Sequence, residues 1–139
     1  MSGEDGIVIT GFGGECLPTA IGSFPHTDAA VACAKVLERL PSIPVWPQLP
    51  KRSPLESMYV QFCPDFPGAE LNDGIWCVDR EADHSSALER MYHDYLESNS
   101  APYALRPEHA AGFGAMLSSL EEAKPRQMVA LKGHVTGPI

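Results

Sequence analysis

Short runs of apolar and β-branched residues alternate along this chain with stretches whose apolar residues recur every three to four positions. That alternation restricts the fold more than any other feature, because a strand, a helix and a further strand in succession favour parallel pairing. The short runs are residues 7–12, 19–23, 43–46 and 127–135. The first helical stripe is Ala29, Ala30, Cys33, Val36, Leu37 and Leu40, with Thr27 or Asp28 as N-cap and Pro41 as its stop. A second, Leu55, Met58, Tyr59 and Phe62, follows the capping box Ser53-Pro54-Leu55-Glu56 and ends at Pro64. A third, Ala87, Leu88, Met91, Tyr92, Tyr95 and Leu96, takes Asp79 as its cap. Pro107 opens a fourth, with Ala110, Phe113, Met116, Leu117 and Leu120 as its inner stripe. Between the second and third, Asp73-Gly74 joins residues 69–71 to residues 75–78, which predicts a β-hairpin. The expected fold is α/β with parallel strands, the hairpin lying outside the main sheet as an insertion.

Composition narrows the class of partner. Lys and Arg number 10 against 18 Asp and Glu, a formal charge of −8. So large an acidic excess argues against general nucleic-acid binding, which depends on Lys and Arg neutralising phosphates. No apolar run approaches a membrane span, and residues 1–6 lack the basic start of a secretory signal. The 12 glycines and 13 prolines make the chain rich in turns, while Leu, Ile, Val and Phe supply 31 of 139 residues, enough for a folded core. Cys16, Cys33, Cys63 and Cys77 contain no C-x-x-C pair, and Cys33 and Cys77 fall on apolar faces. Reduced thiols in a cytoplasmic protein are expected rather than a disulfide framework. The cysteine and histidine spacings match no zinc pattern, so no metal ligands are assigned in this chain.

In a parallel α/β fold, ligands collect at the carboxyl ends of strands. Those ends carry Gly22-Ser23-Phe24-Pro25-His26, Trp46-Pro47-Gln48-Leu49-Pro50-Lys51-Arg52 and His134-Val135-Thr136-Gly137-Pro138. The first pairs a glycine, which lets backbone amides approach a ligand, with a hydroxyl, a combination suited to a carboxylate. A tight strand-to-helix turn would need the same glycine. The second end offers an aromatic ring, an amide and two cations, groups that also serve as core and as solvated surface. His134 is a candidate base or ligand, and a lone strand histidine also serves as hydrogen-bonded packing. Asp79, Glu81 and Asp83 read as helix caps.

Taken together, the three ends resemble the catalytic barrel of the cobalamin-independent methionine synthase-like family, within the uroporphyrinogen decarboxylase and methionine synthase superfamily. Thr19-Ala20-Ile21-Gly22-Ser23-Phe24-Pro25 is similar to the family's first barrel strand, T-x-I-G-S-F-P. Lys132-Gly133-His134-Val135-Thr136-Gly137-Pro138 is similar to its K-G-x-x-T-G-P strand end. Trp46-Pro47-Gln48-Leu49-Pro50 and the Asp73-Gly74 hairpin resemble its methionine-synthase-like branch. The resemblance covers residues 18–139 and implies a (β/α)8 TIM barrel that moves a methyl group from a methyl donor to a small-molecule thiol such as homocysteine. It also implies a zinc ion holding the thiolate, since coordination keeps a thiol deprotonated at neutral pH. The amino-acid part of homocysteine is implied to bind at Ile21, Gly22 and Ser23. The family's zinc ligands, a His-x-Cys pair, an acid and a later Cys, belong to strands beyond this sequence, and no catalytic residue is assigned here. The acidic residue that helps hold the amino acid has no match in residues 46–52.

A barrel of this class needs about 250 residues, roughly 31 per unit, so a chain of this length with an added hairpin holds about three units. The expectation is a truncated, N-terminal portion of the barrel at 18–139, preceded by an arm or short strand at 1–17, and inactive by itself. Open barrel edges would favour a homo-oligomer. Two other functions stay open: a noncatalytic remnant or self-associating small-ligand-binding domain, and a uroporphyrinogen-decarboxylase-like or corrinoid-methyltransferase segment.

Overall fold

The computed structural model describes residues 16–63, 65–73, 75–122 and 127–135. The arm at 1–17, apart from its last two residues, lies outside them, as do Pro64, Gly74, Lys124-Pro125 and Thr136-Gly137-Pro138.

Three extended segments form the centre. Residues 43–49 are all buried and lie between the other two. Parallel bridges join Ser23 to Gln48 and Val45 to Lys132. Phe24 N donates to Gln48 O at 2.9 Å and Gln48 N to Gly22 O at 2.7 Å. On the other side Val129 N donates to Ser42 O and Lys132 N to Pro44 O, each at 2.9 Å. The pairing consists of isolated bridges rather than the continuous strands expected at 19–23, 43–46 and 127–135. Pro44 and Pro47 supply one physical reason: neither has an amide proton, so the middle segment lacks donors for an unbroken ladder.

Helix α1 (Ala29–Arg39) starts where Asp28 accepts a hydrogen bond from Val31 N, and Leu40 N caps its end on Val36 O. Its buried inner face carries Ala32, Cys33 and Val36, and Cys33 and Val36 meet Val45, Trp46, Ala110 and Met116 in the main core. Strands β1 (Ala69–Asn72) and β2 (Ile75–Val78) pair antiparallel, Leu71 opposite Trp76, on either side of the Asp73-Gly74 pair. Asp73 takes the positive φ of 50° that such a turn needs. Helix α2 (Ser85–Leu96) follows, and helix α3 (Ala111–Glu122) packs on α1 after a 3₁₀ turn at Pro107–His109.

Several expectations are corrected. The helix expected over Leu55 to Phe62 is a single 3₁₀ turn, Pro54–Glu56. Ser53 Oγ accepts from Leu55 N rather than from the amide of Glu56, and the Glu56 carboxylate turns to Arg52 instead of closing the capping box. Asp79 does not cap α2; its carboxylate accepts from Glu81 N, while Asp83 accepts from Ser85 N at the true start. The α2 stripe is not a core face: no residue of that helix is buried, and Tyr95 and Leu96 are 80% and 74% exposed. Cys77, expected on a buried face, is exposed at the hairpin.

Candidate functional site

The parallel register sets the ends of residues 19–24 and 43–49 and the residues approaching 135 beside one another. Gly22 sits at the first end with φ of 129°, in the region that favours glycine. A Cβ there would lie 2.6 Å from Cε1 of the His134 ring, so only a residue without a side chain leaves room for the imidazole. His134 stacks on Trp46, with centroids 4.2 Å apart and planes 13° apart. Phe113 from α3 packs T-shaped against the same indole, with centroids 5.7 Å apart, and supports the ring from the core side. The structure therefore brings Gly22, Trp46 and His134 into contact.

The other sequence candidates take different positions. Ile21 is 76% exposed and Ser23 is exposed, so of the three residues implied to bind the amino acid only Gly22 is buried. Phe24 and His26 lie 6.4 Å apart by ring centroid, and His26 Nδ1 is buried without a hydrogen-bond partner. Thr136 lies outside the described residues. Lys51 is exposed.

Beside this cluster runs a buried polar network that sequence reasoning missed. Gln48 Nε2 donates to Gln61 Oε1 at 2.6 Å, and Gln61 Nε2 donates to His109 O. Arg52 Nη1 donates to Oε1 of Glu56, a carboxylate wholly removed from solvent, whose second oxygen has no hydrogen-bond partner among the described residues. The capping box drew Glu56 into a helix start on paper. The one sequence sign of its true partner was the four-residue spacing from Arg52.

Electrostatics around His134 are positive. Burial, and secondarily the charge on Lys132, hold its pKa below the ordinary value of 6.5, so the ring is neutral at pH 7. Lys132 Nζ donates to Ala20 O at 2.9 Å. Burial pushes the Cys33 thiol up to about 11, and its Sγ donates to Gly112 O at 3.4 Å, which makes it a small core residue. Cys63 donates to Tyr59 O at 2.8 Å. Among the described residues no three His, Cys, Asp or Glu side chains gather as metal ligands would. Also among them, no helix is long and apolar enough to cross a membrane.

Comparison with known protein families, with curated proteins and with solved structures returns no match.

Proposed function

We propose that the chain is the N-terminal part of a methionine-synthase-like (β/α)8 barrel, and that its strand ends hold the amino-acid portion of a thiol such as homocysteine for methyl transfer. The observation that carries this reading is the side-by-side parallel alignment of the three segments whose ends bear the resemblance. It puts Gly22, Trp46 and His134 at one place, as a ligand site shared between strands requires. The backbone at Ile21, Gly22 and Ser23 then borders the ligand, with Gly22 making room for the His134 ring and the exposed Ser23 hydroxyl free to turn toward the ligand. Zinc in this reading holds the thiolate, as the resemblance implies, and the residues named here bind the amino-acid portion. Calorimetric titration of the reduced chain with L-homocysteine and L-methionine tests it. Saturable binding weakened by Ser23→Ala supports the reading, and no binding of either amino acid at millimolar concentration refutes it.

A second reading, self-association, is favoured by one observation. Helix α2 presents Leu88, Tyr92, Tyr95 and Leu96 to solvent, an apolar stripe along its length. A homo-oligomer would cover that stripe, or the outer sides of the extended segments, which carry no bridge among the described residues. The two readings are compatible, since the stripe and the strand-end cluster share no residue.

A further inference from the structure

Lys132 and His134 are two positions apart on an extended segment, so their side chains leave the same face. Both cross the middle segment to reach the first one, and they do so in register. Lys132 Nζ meets Ala20 O, and the His134 ring lies over Gly22, two residues on. Trp46 is the floor beneath the imidazole.

This face has two polar deficits. Both ring nitrogens of His134 are buried and neither has a hydrogen-bond partner among the described residues. Lys132 spends one of its three N–H groups on Ala20 O, and no ion pair among the described residues includes it. A partly buried cation without a carboxylate is unexpected in a chain with 18 acidic and 10 basic residues. The neutral imidazole adds one N–H donor beside that charge and one bare acceptor nitrogen.

We propose that Lys132 and His134 form an anion-recognising pair that takes the carboxylate of a small molecule at the strand ends. Lys132 supplies the charge and His134 one N–H, which matches the two oxygens of a carboxylate. A phosphate, with three oxygens and up to two charges, would want more donors than this face offers. The second imidazole nitrogen accepts an N–H or O–H from the same ligand. Gly22 keeps the ring in place, because a side chain there would displace it. The assignment rests on the proposed function only for the position of the site and the choice of first probe.

NMR titration of the full chain, following its amide and histidine-ring signals, tests the pair with four probes: L-homocysteine, L-methionine, L-methioninamide and butyrate. The amino acids are expected to shift the His134 signals saturably, and the amide, lacking the carboxylate, to bind about tenfold more weakly. Lys132→Met should weaken amino-acid binding by a similar factor and Lys132→Arg should restore it. His134→Asn, which keeps a donor in a smaller side chain, serves beside His134→Phe in case the larger ring disturbs Gly22. If L-methionine binds but the amide binds equally well, or Lys132→Met binds as the parent does, the pair is overturned and the proposed function stands. If butyrate binds through Lys132 and His134 while neither amino acid does, the pair stands and the proposed function falls. Binding by none of the four overturns both.

Discussion

Replacing Gly112 with alanine puts a methyl group where the Pro47 carbonyl already sits. The added Cβ would lie 1.8 Å from Pro47 O and 2.9 Å from Pro47 C. Restoring even a tight 3.0 Å contact means moving helix α3 away from the middle segment by 1.2 Å (3.0 − 1.8). Neither side yields easily. The obstructing atom is backbone, residues 43–49 are all buried, and α3 carries Met116 and Phe113 in the core around Trp46. Overpacking of this kind costs about 1–3 kcal/mol, and a clash with fixed backbone belongs at the upper end. Alanine gives back up to about 1 kcal/mol through its better helix propensity. The net expectation is a loss of about 2 kcal/mol, or about 6–10 °C in Tm for a chain of this size. Gly114, two residues along the same helix, is the internal control, because a Cβ there meets nothing within 4 Å. Gly114→Ala should gain about 0.5–1 kcal/mol. Urea unfolding followed by fluorescence of Trp46 and Trp76 reads both variants, with unchanged m-values required for the comparison. If Gly112→Ala proves as stable as Gly114→Ala, α3 does not pack on Pro47 and the support beneath Trp46 and His134 is wrongly described.

Gln61→Leu removes the acceptor of Gln48 Nε2 and the donor to His109 O, both buried; a loss of about 2–3 kcal/mol in urea unfolding is expected, well beyond that of a surface substitution. His134 has its folded pKa depressed, so its contribution to stability is complete above its unfolded value of 6.5 and is lost as pH falls below it. Urea midpoints should therefore drop from pH 7.5 to pH 5, and the drop should shrink in His134→Asn; equal slopes for both proteins would refute the buried imidazole. Sedimentation at micromolar concentration should show self-association that Tyr95→Glu weakens, whereas a monomer at all concentrations would show that the α2 stripe needs no cover from a second copy.

What could be read from the sequence depended on how local the deciding forces were. The hairpin rests on a two-residue turn and its flanking runs, and α1 on Asp28, its stripe and Pro41, each within one short stretch of chain. The capping box misled because its test was also local. Ser53 and Glu56 had the right spacing, but Arg52 and the burial of the carboxylate decided where Glu56 went. Periodicity in α2 showed that one face is apolar without showing that anything lies against it. The Gln48, Gln61 and His109 network joins residues 13 and 48 positions apart, beyond any pattern in the sequence. His134 could be nominated as a strand-end residue from its position; its stacking on Trp46 and its approach to Gly22 depend on a register that only the folded chain supplies.

The central claim is that three strand ends meet at one site. Its most direct measurement is the nuclear Overhauser contact between the Gly22 Hα protons and His134 Hε1, with the chemical shift of the imidazole ring protons. The account predicts a strong contact, because the ring lies where a Gly22 side chain would be, and ring protons shifted upfield by the stacked Trp46 indole. Absence of that contact, with His134 ring protons at the shifts of a free histidine, would contradict it.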